Sequence, residues 1–523
     1  MNLWSTLERA ARLHPRNVAV VEDGRSTDYA RLRARCAAFA RVLRAHGVRP
    51  GERVSILAWN GQAFLEAYYA AAGAGAVLNP LNVRLVAREL REILADCGAR
   101  LLIADSGFAE LLREVVAAPT AVEHVLWIGA EGSTGAPERG ASLERSIAAE
   151  LERGAGAWTP DTVAGDALAH LYYTSGTTGR AKGVMLTHRN VSVHALATLF
   201  ELGLGERDTW AHVAPMFHLA DAWATFAITW AGGRHVVLPR FEPVAALELM
   251  ERERVTITNL IPTMLNLMVR HPSARGRDYR SLRLVLSGGA PIAPQVVREI
   301  LDVFGCDYVQ TYGMTETSPY LTLSLLKDHL RALPAEEQLA YKCKTGRPFA
   351  AVELQVVDAE GREIPGDERT VGEIRVRGET VTPGYWNRPE ETAAAFRDGW
   401  LMTGDLAVID GEGYVTIVDR KKDMILTGGE NVYSTEVEHV LYEHPAILEA
   451  AVFARPDALW GERVCAAVVL RLGTNANAEE LAAFCRARLA GYKVPREIDF
   501  LASLPRTGSG KILKRALREP VAG

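Results

Sequence analysis

Lysine is scarce in this sequence: nine lysines stand against fifty arginines in 523 residues. The bias reads as codon usage, so the positions that kept a lysine draw attention. Cysteine is scarce as well. The six (Cys36, Cys97, Cys306, Cys343, Cys465 and Cys485) form no CxxC pair and show no metal-ligand spacing. That argues against a disulfide framework or a zinc site and leaves small buried hydrophobes in a reducing compartment. Long hydrophobic runs are missing too. LEAYYAAAGAGAVLNPL, among the longest, is too short for a bilayer span and is broken by glycine. The amino-terminal MNLWSTLERAARLHPRN carries charges throughout and lacks the apolar stretch of a secretion signal. A net charge of −5 argues against nucleic acid or an anionic membrane as partner. A cytoplasmic protein without integral membrane association is expected.

What is present starts with length: 523 residues exceed one hydrophobic core, so two or more domains are expected. Helical spacing over residues 28–46 and 64–77 alternates with strand-like RVSILAW at 53–59, LLIADS at 101–106 and VLWIG at 125–129. This rhythm predicts parallel α/β layers. EGSTGAPERGA at 131–141 reads as a surface loop. From residue 351 onward, VELQVVD, GEIRVRG and YVTIVDR are short alternating strands between turns, a β-rich subdomain. After DRKKDMI the pattern changes to an α+β unit of ~100 residues, a common domain size. The expected architecture is a large α/β amino-terminal domain over 1–420, including the β-rich subdomain, and a small mobile α+β domain over 421–523.

Residues 172–183, YYTSGTTGRAKG, place small hydroxyl and glycine residues ahead of a lysine. Such a run lets the backbone approach an anion closely and offers N–H, O–H and ammonium donors to phosphate. It is not a Walker A loop, since GxxxxGK[ST] would need Gly at 181 and Ser or Thr at 183, where the chain has Ala181 and Gly183. Further runs follow in order: SGGAP at 287–291, QTYGMTET at 310–317, GYWNRPEET at 384–392, TGD at 403–405, VDRKKDMI at 418–425 and PRTGSGKILKR at 505–515.

Together these runs resemble the motif set of the adenylate-forming superfamily, and the resemblance spans nearly the whole chain. It implies ATP, Mg2+ and coenzyme A as cofactors and a small carboxylic acid as substrate. Thr174, Ser175, Gly176, Thr177, Thr178, Gly179 and Lys182 are implied to hold ATP phosphates. Gly289, Ala290 and Pro291 would lie against adenine, with Thr311, Tyr312, Gly313, Met314 and Thr315 beside it and the Tyr312 ring as stacking face. Glu316 is implied as the magnesium ligand with Thr174 next to it, a hard oxygen donor set for a hard cation. Asp405 and Arg420 resemble the ribose contacts. Lys511 resembles the lysine that bridges the attacking carboxylate and the α-phosphate. On its residues alone, a lysine in a Gly/Ser loop is ordinarily a solvated surface charge. Lys422 resembles a hinge about which the carboxy-terminal domain swings, although RKKD reads equally as a solvated charge run. Gly428 and Gly429 resemble the stretch lining the phosphopantetheine tunnel.

The segment HVAPMFHLADAWATF at 212–226 resembles the start of the family's carboxylate pocket. His218 sits where many acyl- and aryl-CoA ligases have an aromatic gate, and it joins Lys511, Glu316 and Thr174 as a catalytic candidate. Trp223, Leu260, Gly288, Thr311 and Met314 are further pocket candidates. Asp221 has the wrong spacing for the carboxylate that binds the ammonium of an amino-acid substrate. The expected function is an AMP-forming acid:CoA ligase acting on an uncharged short- or medium-chain fatty or related acid, with 3-methylthiopropionate a candidate. An aryl-CoA ligase and a stand-alone enzyme loading a carrier protein are the alternatives; a luciferase-like oxygenase and an inactive acyl-adenylate binder rank below them. A homodimer is expected only because two-fold dimers are the commonest assemblies.

Overall fold

The computed structural model describes residues 2–117, 120–129, 140–154, 158–161, 163–175, 181–290, 292–506 and 512–518, without the side chains of residues 140 and 175. The chain forms two compact units. One comprises Met1–Glu353 with Arg377–Leu401, the other Leu354–Val376 with Met402–Gly523.

The first unit is built on two sheets. Five parallel strands, Gly140–Ser142, His124–Ile128, Leu101–Asp105, Arg53–Leu57 and Val77–Pro80, lead to Leu168–Ser175, also parallel, and close on Ala181–Thr187, which turns back antiparallel. The nine-stranded sheet has a parallel centre that includes Asp307–Gly313, Leu284–Gly288, Ile257–Asn259, Thr209–His212 and Arg234–Val237. The expected α/β alternation is realised: helices Tyr29–Ala45 and Gln62–Gly73 occupy the predicted segments, and Arg53–Leu57 the predicted strand. Most of the predicted loop at 131–141 lies outside the described residues.

The core between the layers is aromatic. Trp4, Tyr68, Tyr69, Trp210, Trp223 and Phe226 are each at most 2% exposed. Helix Leu219–Ala231 is apolar nearly all round and lies buried in this core, as a helix without a polar face must. No helix among the described residues is long and apolar enough to cross a membrane. The six cysteines are free thiols, five of them buried.

In the second unit, Asp405–Ile409, the latter part of strand Trp400–Ile409, pairs antiparallel with Val415–Arg420. Beyond it, Ile447–Asp457 and Gly461–Leu470 form a long hairpin, with Glu497–Phe500 parallel to the second strand. Helices Ser434–Tyr442 and Ala478–Arg486 cover this sheet around Val437, Leu441, Val452, Val464 and Leu481.

Several core histidines carry a pH dependence. Burial holds His170 down at about 3, His188 at about 4 and His194 at about 3, all from an ordinary 6.5. Each is neutral in the fold, whereas the unfolded chain protonates it near pH 6.5. The unfolded state therefore binds more protons in the window from about 6.5 down to the folded values, and stability falls as pH falls through it. Each histidine contributes a slope of ~1.4 kcal/mol per pH unit. His170 stacks on Phe226. The expected outcome is a melting midpoint that drops steadily from pH 7 to pH 5, with a shallower drop in His170→Phe. Equal slopes for the two proteins would contradict the assignment.

Candidate active site

Two neighbouring parallel strands end where the site begins. Leu284–Gly288 and Asp307–Gly313 run side by side with Gly288 opposite Thr311, and ligand sites in open α/β sheets form beyond such carboxy-terminal strand ends. Glycine is required at 288: a Cβ would stand 2.3 Å from Thr311 Oγ1. That hydroxyl donates to Ser287 O at 3.1 Å. The chain then turns through Gly289 at φ 84°, and Gln310 Nε2 donates to Ala290 O at 3.2 Å. Pro291 lies outside the described residues.

Tyr312 and Gly313 sit at an irregularity in the pairing with Tyr320–Leu323. A Cβ on Gly313 would fall 1.8 Å from Pro319 O, so the two backbone segments touch there. The Met314 amide donates to that same carbonyl at 3.0 Å. This contact closes a short turn, Thr315–Thr317, that presents Glu316. Thr317 Oγ1 ties the turn to Pro319 O at 2.6 Å, and the Thr382 amide donates to Glu316 O at 2.7 Å.

Glu316 is 8% exposed. Tyr385 Oη donates to its Oε1 at 2.9 Å. Burial, and then the charge of Glu316, push the Tyr385 hydroxyl above the usual phenol range, so it stays protonated as the donor. Among the described residues Glu316 has no cation partner. With Oε1 taken by the phenol, the remaining carboxyl oxygen is a hard donor of the kind a divalent cation takes. The donor chemistry thus fits magnesium.

The phosphate-loop candidate is part of a hairpin. Thr174 stands opposite Lys182 in the pairing of Leu168–Ser175 with Ala181–Thr187, and the second strand lies beside the Glu316 turn. Gly176, Thr177, Thr178 and Gly179 lie outside the described residues, as does the Ser175 side chain. Lys182 Nζ is 5.3 Å from the centre of the Tyr385 ring. The segment 384–386 clasps the hairpin: Met185 N donates to Gly384 O at 3.1 Å and Trp386 N to Gly183 O at 2.8 Å. Tyr385 was absent from the residues singled out in the sequence. The signal was there in GYWNRPEET, a motif quoted without a role for its tyrosine.

The acyl-pocket candidates differ in exposure. His218 caps helix Leu219–Ala231 and is half-buried, its ring 4.6 Å from Phe217. Trp223 is 1% exposed and packs against Trp210 at 4.9 Å and Tyr320 at 5.3 Å; Leu260 is fully buried. Asp221 is also fully buried. Its carboxylate meets His212 Nδ1 at 2.6 Å and Trp210 Nε1 at 3.3 Å, and His212 continues through His235 to Thr229 at 2.9 Å each.

In the second unit Asp405 lies opposite Arg420, with Oδ1 and Nε 3.0 Å apart. Asp405 is buried, Arg420 exposed. Lys422 is exposed, and its carbonyl accepts from Arg518 Nη2 at 3.2 Å. Gly428 and Gly429 both adopt positive φ, 60° and 86°, and a Cβ on Gly428 would stand 2.6 Å from the Trp460 ring. Lys511 lies outside the described residues.

Comparison with known proteins identifies the family of the chain. The AMP-binding enzyme family model matches residues 7–386, and the model of the AMP-binding enzyme C-terminal domain matches residues 436–511. A feruloyl-CoA synthase of an Amycolatopsis species is 41% identical, covering 98% of this chain and 97% of its own length. A long-chain-fatty-acid–CoA ligase of Thermus thermophilus is 38% identical, covering 99% and 95%. The crystal structure of ATP-bound MatB from Rhodopseudomonas palustris superposes with a TM-score of 0.86 at 32% identity, covering 99% and 98% of the two chains.

The close approach at Gly313 yields a direct test. Gly313→Ala forces the 313 and 319 backbones apart and should cost about 1–3 kcal/mol or more, the range of overpacking. Gly305→Ala, at φ 62° with nothing within 4 Å of its Cβ, should cost less. Denaturant melts of both variants decide this; equal losses would refute the steric account.

Proposed function

The chain belongs to the AMP-binding enzymes and is an AMP-forming acid–CoA ligase, and on that footing we propose how its residues divide the work. ATP, Mg2+ and coenzyme A are the cofactors of this class. In the first half-reaction a carboxylate oxygen of the acid attacks the α-phosphorus of ATP. The bond to pyrophosphate breaks and an acyl-adenylate forms. In the second, the thiol of coenzyme A loses its proton and attacks the acyl carbon, releasing AMP.

Bringing a carboxylate against a polyphosphate is an electrostatic problem, solved by preorganised donors and cations. Thr174 and Lys182, on facing strands, bind phosphate together with the 175–179 loop. Glu316, with Thr174 beside it, would hold magnesium, which when bound neutralises phosphate charge. Tyr312 and the 289–291 turn take the adenine, with Thr311, Gly313, Met314 and Thr315 around it. Asp405 accepts from the ribose hydroxyls with Arg420 orienting it. Lys511 bridges the carboxylate and the α-phosphate. A mobile domain beginning after Arg420 would turn at Lys422, withdraw Lys511 for the second step and place Gly428 and Gly429 along the pantetheine arm. The single observation carrying this reading is the buried Glu316 carboxylate, which has no cation partner among the described residues, at the strand ends beside the Thr174–Lys182 hairpin.

The acid is uncharged in its tail, of the short- or medium-chain fatty or related class, and His218, Trp223, Leu260, Gly288, Thr311 and Met314 form its pocket. The likeness to a feruloyl-CoA synthase favours an aryl acid as the second reading. Six free thiols suit the reducing cytosol.

Two measurements test this. Lys511→Ala should lower acyl-adenylate formation, read as pyrophosphate release, by on the order of 10²–10³-fold, the usual loss of a transition-state donor, while retaining thiolation of supplied acyl-adenylate. Equal loss of both half-reactions would remove Lys511 from its role. A panel from acetate to palmitate with benzoate, ferulate and 3-methylthiopropionate, offered with coenzyme A or a holo-carrier protein, should give one optimum with coenzyme A-dependent turnover. An optimum on ferulate would establish the aryl reading, and turnover only with the carrier would replace coenzyme A as acceptor.

A further inference from the structure

We propose that Tyr385 is the positioning residue of the Glu316 site: its hydroxyl holds one carboxylate oxygen and so aims the other at the metal and phosphates. The inference rests on the magnesium reading of Glu316 given above and goes beyond it by assigning the residue that orients the ligand.

The geometry has three parts. First, the Tyr385 hydroxyl donates to Glu316 Oε1 at 2.9 Å, and among the described residues it is the only hydrogen-bonding side chain on that carboxylate. With one oxygen occupied by a donor, the other remains for a cation. Second, the tyrosine is itself fixed. Its amide donates to Thr392 Oγ1 at 2.9 Å, its backbone bridges Val184, and the following Trp386 amide donates to Gly183 O. Arg388 adds an ion pair to Asp96 at 2.9 Å. The phenol is thus carried by the hairpin that bears Thr174 and Lys182. Third, the Lys182 ammonium lies 5.3 Å from the same ring, within the reach of a cation–π contact. One side chain touches both the lysine of the phosphate hairpin and the carboxylate of the metal site. Groups that orient a metal ligand through its second atom commonly change metal affinity 10–100-fold when removed.

Tyr385→Phe keeps the ring and its contact with Lys182 and removes only the hydroxyl. Mn2+ binding is measured by electron paramagnetic resonance in the presence of α,β-methylene-ATP. The Mg2+ dependence of pyrophosphate release and the thiolation of supplied acyl-adenylate are measured alongside. Weaker Mn2+ binding by about 10-fold is expected, together with a Mg2+ half-saturation that rises more than kcat falls, and thiolation is retained. Unchanged Mn2+ binding overturns the inference. Loss of thiolation as well would make Tyr385 a structural residue and also overturn it. Glu316→Gln separates the two levels. If it abolishes Mn2+ binding while Tyr385→Phe leaves it intact, only the positioning role falls. If Glu316→Gln also binds Mn2+ normally, the metal reading of Glu316 falls, and the inference with it.

Discussion

A buried carboxyl group organises this part of the molecule. Glu316 is buried against the phenol hydroxyl of Tyr385 and meets no cation among the described residues, and the backbone around it is constrained to keep it there. Gly313 and Pro319 touch so closely that no side chain fits at 313, and the Met314 amide on Pro319 O closes the turn that carries Glu316. The Thr382 amide secures the carbonyl of the same residue. Segment 382–386 then crosses to the hairpin strand Ala181–Thr187, where Thr382 Oγ1 donates to Met185 O at 2.5 Å. Strand ends, turn and hairpin are therefore one assembly. A cation arriving at Glu316 under the proposed reading would meet a preorganised ligand and need not gather one, which is where such a site would gain affinity.

The same economy governs the nearby core. Asp221 would be costly as a lone buried charge, and the chain Asp221–His212–His235–Thr229 distributes its hydrogen bonds through four side chains, all fully buried. Burial and the neighbouring His212 hold His235 well below its ordinary range, so it is neutral and links donor to acceptor. This chain fastens the first turn of helix Leu219–Ala231 to strands Thr209–His212 and Arg234–Val237. His218, at the head of that helix, inherits its position from it.

Much of this was legible in the sequence because the motifs encode local backbone demands. Gly288, Gly289 and Gly313 stand where a Cβ clashes or φ is positive, and Thr174 and Lys182, the two ends of the run read as a phosphate loop, stand opposite each other on paired strands. Asp405 and Arg420 were paired by role and stand opposite each other in one ladder. What was illegible depends on distance along the chain. Tyr385 is 69 residues from Glu316, and nothing in GYWNRPEET says which carboxylate its hydroxyl will meet. Trp223 shows a second limit of the sequence. Helix Leu219–Ala231 is apolar nearly all round, and the indole packs between Trp210 and Tyr320. Periodicity does not reveal which face of such a helix meets a cavity.

The buried chain also bears on the substrate. An acid with an ammonium group needs a carboxylate in its pocket, and Asp221 is the acidic residue of the 212–226 segment. Both of its oxygens are engaged, one by His212 and one by Trp210. Recruiting it to a ligand would break a fully buried hydrogen-bond chain and leave two imidazoles and an indole N–H without a satisfied network, each at about 1–3 kcal/mol. A substrate cation would have to repay all of that before gaining any affinity. Asp221 is thus withheld from a substrate ammonium by the energetics of its own packing, and a pocket without that carboxylate would discriminate among uncharged tails by shape, where each methylene is worth only about 1–3 kcal/mol.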